Sequence, residues 1–319
     1  MKFNAIFLFI LLLTIAGSSA CWAPKEVSAS RSDGKTDVSS TPNRTPNPTP
    51  GNSNTENKNT EVSKTQNPDK TVKTEGFKAN LPVNFQIPTD EIGMKLLSEY
   101  GSICVAAGGA TAPNKIFFRD EADVSTFQSS LQKSTENIGG FSIELQTAAM
   151  NSLKKAIAEA KQLGTDITPR GADSAKRTYG ETVKLWESRV SPGLQQWVSK
   201  GKLSQTESAR IKSLAPFEQV PEILKLESQG MYFSKDFSKS ILYSVAAPGA
   251  SQHIFMLALD VNQYADQNVR EILAKNGWFQ TVQSDMPHFT YLGVAESDLA
   301  ARGLKPVVVS GQKFWIPNL

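Results

Sequence analysis

The 319-residue chain is poor in the residue types on which most site chemistry depends: it has two cysteines, Cys21 and Cys104, and two histidines, His253 and His288. Two cysteines exclude a disulfide-stapled scaffold and any cysteine-rich zinc module. Any histidine-dependent chemistry must use His253 or His288. An excess of charge is missing too, since 34 Lys+Arg against 31 Asp+Glu leave a formal net charge of +3. No basic footprint points to nucleic acid, and none is expected as a partner. No internal repeat is visible, and no Gly-rich phosphate loop follows a strand-like run. Large apolar residues are absent from 41–60, where 16 of 20 residues are Thr, Pro, Asn or Ser. Such a stretch cannot bury enough surface to offset its ordering entropy, so it reads as disordered, and its four prolines favour an extended spacer.

At the N-terminus, Lys2 precedes the apolar run Ala5 to Leu13 and the small residues Gly17-Ser18-Ser19-Ala20, which end at Cys21. This is a signal-peptide layout over 1–20, with an apolar stretch shorter than the ~20 residues of a membrane-spanning helix. It resembles a bacterial lipoprotein signal, with Ser18 where such a lipobox usually has Leu. The resemblance implies that Cys21 is diacylated and anchors the chain to a membrane, with 21–76 as a lipid-anchored, disordered leash. Ordinary cleavage after Ala20 without a lipid is the other reading. Trp22 stands where an Asp often retains lipoproteins at an inner membrane. The expectation is an exported protein of the bacterial cell envelope on the periplasmic face of a membrane, the outer one being slightly favoured. Cys104, within Ile103-Cys104-Val105-Ala106, reads as a buried, inert thiol.

About 240 residues, 77–319, remain for one large domain, expected to be monomeric. Phe141 to Leu163 reads as one long amphipathic helix ended near Gly164, and Ser174 to Val190 as a second, stopped by Ser191-Pro192-Gly193. Further helices are expected at 204–213, 218–229 and 266–276. Strand-like runs are Lys115–Phe118, Ser240–Ala246, Phe255–Val261, His288–Leu292 and Pro306–Val309, the last paired with Gln312–Ile316. Gly108-Gly109 and Gly139-Gly140 read as turns. Helices first and strands late predict an α+β domain, with helices packed on a small antiparallel sheet.

Both histidines lie near the late strands, each with an aspartate close by: His253 with Asp260, and His288 with Asp285. Two imidazoles and one carboxylate would make a three-ligand zinc site with an open fourth position, which a hydrolytic zinc needs for water. Asp285, three residues before His288, would sit beside that water as general base. Asp260 lies in the apolar run Leu257-Ala258-Leu259-Asp260-Val261, and a carboxylate there requires a partner. Seven residues separate it from His253. That spacing puts two side chains on one helix face but on opposite faces of a straight strand, so in a strand the chain must bend between them.

The segment PGASQHIFMLALDV resembles the S-x-H-x-x-G-x-A-x-D signature of VanY-type D-alanyl-D-alanine carboxypeptidases, and NGWFQTVQSDMPHF resembles their G-W…(E/D)-x-x-H segment. An upstream Y-R-S element followed by a helix is similar to Lys176 to Thr182, with Leu185-Trp186 at the family's Leu and aromatic. The family consists of zinc peptidases of bacterial cell-wall peptides and includes VanX-type dipeptidases and L-alanyl-D-glutamate endolysins. Carried over onto the matching residues of about 170–292, the resemblance implies that His253, Asp260 and His288 bind Zn2+. Asp285 would take the proton from the attacking water, Arg177 would stabilise the oxyanion, and Ser251 would contact the substrate, a peptidoglycan stem peptide. Arg170 is a rival to Arg177 for the carbonyl, and both stay open here. Two departures stand out: Met256 occupies the signature glycine, and Asp285 replaces the carboxypeptidase Glu and matches the endolysin branch, written D-x-P-H-F. The implied activity is that of a zinc D,D-carboxypeptidase. An L-alanyl-D-glutamate-type endopeptidase, a zinc hydrolase of another amide, or a non-catalytic cell-wall-binding lipoprotein are the alternatives. Residues 77–165 and 297–319 fall outside the motifs, and Phe314-Trp315-Ile316-Pro317 reads as a packed strand.

Overall fold

The computed structural model describes residues 76–319. The signal peptide, Cys21 and the leash lie outside the described residues. The helices are α1 (Glu91–Tyr100), α2 (Glu121–Ser130), α3 (Thr147–Gln162), α4 (Tyr179–Ser199), α5 (Gln205–Ser213), α6 (Gln219–Ser228) and α7 (Gln267–Lys275). The strands are β1 (Lys133–Ile138), β2 (Phe141–Gln146), β3 (Ala258–Asp260), β4 (Trp278–Gln280), β5 (His288–Tyr291), β6 (Leu304–Val309) and β7 (Gln312–Pro317). They form three antiparallel sheets, β1-β2, β3-β5-β4 and β6-β7, where a single small sheet was expected. The mixture of helices and small antiparallel sheets is that of an α+β fold. Among the described residues no helix is long and apolar enough to cross a membrane.

The long helix expected from Phe141 begins six residues late. Phe141, Ile143 and Leu145 alternate with polar neighbours, a two-residue period that makes them the inner face of β2. Gly139 and Gly140, both at positive φ (60° and 87°), turn β1 into β2 between the paired residues Ile138 and Phe141. With no loop between β2 and α3, the alternating and helical periods run together in the sequence. The second expected helix also differs at both ends. Ser174 to Thr178 is not helical, and α4 starts where Thr178 and Glu181 close a capping box. It then continues through Pro192. A proline inside a helix costs ~3 kcal/mol, and burial of Trp186, Val190, Leu194 and Trp197 along one α4 face outweighs it. Gly193 lets Phe233 lie directly on the helix, since a Cβ there would meet that ring at 2.3 Å.

Two predicted strands are absent. Lys115–Phe118 is irregular and Ser240–Ala246 holds only a short 3-10 turn at Ile241–Tyr243. In the first, Phe118 N–H donates to the Gly249 carbonyl at 2.9 Å, an isolated link between loops. Cys104 is fully buried and free of disulfide, and burial pushes its thiol ionisation up. Fully buried Trp186, Trp278, Phe233, Phe255, Phe289 and Phe314 are the largest side chains of the core.

Candidate metal centre

The bend required between His253 and Asp260 is present. Residues Gln252–Phe255 form one 3-10 turn, Met256 adopts the left-handed conformation (φ 57°, ψ 31°), and β3 starts at Ala258. Met256, at the signature glycine, thus holds a backbone shape that glycine adopts more readily, and its side chain is fully buried. The turn's carbonyls are taken by side chains from the first half of the domain. Gln128 on α2 donates to the Ile254 carbonyl at 2.9 Å, and Gln146 at the end of β2 to the Phe255 carbonyl at 2.9 Å. Residues 77–165, which had no role from the motifs, therefore hold the His253 turn in place.

Asp260 and His288 meet across the sheet, directly opposite each other in the β3-β5 register. His253 Nε2 lies 3.3 Å from Asp260 Oδ1, and His288 Nδ1 lies 3.3 Å from the same oxygen. The three donor atoms fall within 4.8 Å of one another. Ligands at ~2.0–2.1 Å from a tetrahedral zinc stand ~3.3–3.4 Å apart, a separation that the two imidazole-to-carboxylate distances match.

Hydrogen bonds on the far side of each ring fix which nitrogen faces the centre. His253 Nδ1 donates to the Ala175 carbonyl at 2.8 Å. Gln252 Nε2 donates to the Tyr100 carbonyl at 2.8 Å, which turns Gln252 Oε1 toward His288 Nε2 at 2.9 Å. Each ring thus uses its one neutral-state N–H outward and directs a lone pair at the Asp260 carboxylate. Lone pairs facing a carboxylate oxygen repel unless a cation or a proton stands between them. Burial pushes the His253 ring below its ordinary value, with Asp260 opposing and the Arg177 charge adding to the depression. Burial also works against the Asp260 charge, but positive charge and hydrogen-bond donation from the two histidines when protonated outweigh this and hold its carboxyl well below the usual carboxylate range; with the rings neutral, a bound cation would take that role. A carboxylate flanked by two imidazole nitrogens is the donor set of a divalent metal site, and zinc fits it.

Arg177 reaches this centre from the loop before α4. Residues 168–174 run along the free edge of β3, with Arg170 N–H donating to the Asp260 carbonyl at 3.1 Å and Asp260 N–H to the Ser174 carbonyl at 2.9 Å. The Arg177 guanidinium lies 3.3 Å from Asp260 Oδ2, leaving Oδ1 to the imidazoles, and its buried Nε has no protein partner. Arg170, the rival, has an exposed side chain, does not line the central cavity, and touches the site through its backbone alone.

A cavity of ≈ 250 Å³ opens onto the centre, with Arg177, Ser251, His253, Asp285 and His288 in its wall. Asp260 lies behind the two imidazoles and is not part of that wall. Asp285 is exposed at the cavity, and its backbone carbonyl accepts from His288 N–H at 3.2 Å. Its carboxylate makes no hydrogen bond or ion pair with another described residue. Ser251 is buried, immediately before the His253 turn. Two contributors escaped the sequence reading. Gln252 stands inside the first motif yet gives no signal of its own, and Tyr100, on α1, is separated from the motif by about 150 residues.

No protein-family model matches this chain, and no curated protein matches it. Two solved structures do. One, a crystal structure of a variant of the vancomycin-resistance D,D-pentapeptidase VanY from a VanB-type resistance cassette in complex with Zn(II), matches at 15% identity and a TM-score of 0.29, over 52% of this chain and 82% of that one. The other, VanYB in complex with D-alanine-D-alanine, matches at 15% identity and a TM-score of 0.31, over 53% of this chain and 83% of that one.

Proposed function

We propose that the chain is a zinc-dependent peptidase of peptidoglycan stem peptides, a D-alanyl-D-alanine carboxypeptidase in its most direct reading. One observation carries this: two imidazoles in the wall of a cavity converge at 3.3 Å on one carboxylate oxygen behind them, and the same wall holds an unpaired carboxylate, Asp285. His253, Asp260 and His288 hold the zinc, whose contribution when bound is Lewis acidity toward water and toward the scissile carbonyl. Asp285 takes a proton from the attacking water as its oxygen bonds to the carbonyl carbon. It then returns a proton to the leaving nitrogen as the C–N bond breaks, giving a carboxylate and an amine. Arg177, in the cavity wall, presents its guanidinium to the oxygen on which charge develops, while its pairing with Asp260 fixes the group. Ser251 contacts the peptide from the cavity wall. The lipid anchor on Cys21 and the leash would place this chemistry in the cell envelope, near its polymer.

The shorter carboxylate of Asp285, compared with the Glu of carboxypeptidases, favours a second reading in which the bond cut is an internal L-alanyl-D-glutamate-type linkage. Incubation of the zinc-loaded chain with stem pentapeptide separates the two by product mass. Release of D-alanine supports the first reading, release of an L-alanine-bearing fragment the second, and no cleavage with either end intact removes both. Asp285→Ala should abolish turnover and keep the zinc, whereas a binding protein without turnover would be unaffected in its binding.

A further inference from the structure

On α4, Thr182, Leu185 and Arg189 line the same cavity as the two histidines. Their spacing of three and four residues puts them on one helix stripe, which runs away from the Arg177 end of α4. Helical side chains lean toward the N-terminus, and on α4 that is the end where Arg177 and the His253 turn lie. Thr182 Oγ1, at the near end of the stripe, accepts from Gly249 N–H at 3.2 Å, two residues before Ser251.

Arg189 is the uncompensated positive charge of this wall. Its Nε donates to Ser244 Oγ at 2.7 Å, and its Nη1 to the Ser188 carbonyl and hydroxyl at 3.3 and 2.9 Å. All three acceptors are neutral, and among the described residues no acidic side chain pairs with it. Nη2 has no hydrogen-bond partner among the described residues. The other cavity arginine differs, because Arg177 is neutralised by Asp260. Beside this cation the cavity wall comes from 242–246, including Tyr243, which is 57% exposed; Leu185, on the Arg189 stripe, is 36% exposed. A free guanidinium beside small and apolar groups is a receptor for a carboxylate carried on a small apolar residue.

We propose that Arg189 anchors the free C-terminal carboxylate of the peptide and thereby makes the site an exopeptidase site. This rests on the proposed peptidase reading and deepens it, deciding between terminal and internal cleavage. Ser244 joins the 242–246 wall to α4 through Nε, which leaves Nη2 for the ligand. A carboxamide-ended peptide would leave that charge unpaired.

The test is equilibrium binding to the full zinc-loaded chain in the Asp285→Asn background, where turnover is stopped. N-acetyl-Lys-D-Ala-D-Ala is compared with its C-terminal carboxamide, for Arg189, Arg189→Lys and Arg189→Gln, the last keeping a donor for Ser244. A charge-assisted pair predicts tighter binding of the carboxylate by roughly 10- to 100-fold. Arg189→Gln should bring the ratio near one, and Arg189→Lys should keep part of it, with both variants melting like the parent. Equal binding of the two peptides by the parent, a preference that survives Arg189→Gln, or binding of neither peptide overturns the proposal. Wild-type turnover is read separately. Predicted binding without cleavage leaves the anchor standing and removes the peptidase reading, whereas cleavage without carboxylate preference removes only the anchor.

Discussion

Replacing Gln252 by Ala tests whether the centre is held from behind as its geometry indicates. Gln252 is 1% exposed and connects α1, the His253 turn and the central sheet in one network. Its Nε2 donates to the Tyr100 carbonyl at 2.8 Å and to Thr281 Oγ1 at 3.2 Å. Its Oε1 accepts from His288 Nε2 at 2.9 Å and from the Thr290 hydroxyl. Alanine leaves the His288 Nε2–H buried without its partner and takes from the Tyr100 carbonyl one of its donors. At ~1–3 kcal/mol for the stranded group, the loss of folding stability should be about 1–3 kcal/mol. The ring of His288 also loses the acceptor that fixes its tautomer, and removal of such a partner costs about 10–100-fold in metal affinity. Urea unfolding of the metal-free chain measures the first quantity, and competition for zinc against a chromophoric chelator measures the second. A folded Gln252→Ala protein with zinc affinity within about threefold of wild type would refute the assignment of Gln252 as the support of a metal ligand.

Gly249→Ala should destabilise the domain by several kcal/mol, because a Cβ at this position (φ 75°) would stand 1.8 Å from the Phe118 carbonyl oxygen; thermal melting unchanged within 1 °C would contradict this. Glu227 accepts from Phe233 N–H at 3.2 Å and Ile241 N–H at 2.6 Å, and burial nevertheless raises its carboxyl ionisation above the ordinary 4.5. The folded state therefore binds its proton more tightly than the unfolded state, so this contribution is fully present below pH 4.5 and is lost as pH rises through the raised value. Urea midpoints measured across that window should fall less steeply in Glu227→Gln than in wild type, and parallel slopes would show that Glu227 is not responsible.

The late part of the domain was the most legible in the sequence. The runs at His288 and Gln312 are strands, and the helices at 204–213, 218–229 and 266–276 exist within a residue or two at each end. These segments carry a clear period bounded by caps or glycines, such as Ser204 and Asp266, whose side chains accept from the first helical turn. The β1-β2 hairpin was lost because β2 passes into α3 with no break in hydrophobicity. The helix through Pro192 was lost because long-range packing on Phe233 overrides a local breaker. At the site, the bend before Asp260 could be required from spacing, yet its cause is tertiary: Gln128, Gln146 and Met256 belong to different stretches of chain. Arg177 was favoured by the resemblance at Lys176 to Thr182, and Arg170 was its rival. The packing of 168–174 against β3 turns one guanidinium onto Asp260 and leaves the other exposed.

The central claim is that His253, Asp260 and His288 form a metal site, and elemental analysis of the purified full chain tests it most directly. Wild type and His253→Ala would be prepared side by side, offered zinc and freed of excess by gel filtration without chelators. About one zinc per chain in wild type, absent from the variant, is the predicted result. Wild-type protein that is folded and carries no zinc would contradict the claim, and the peptidase reading would fall with it.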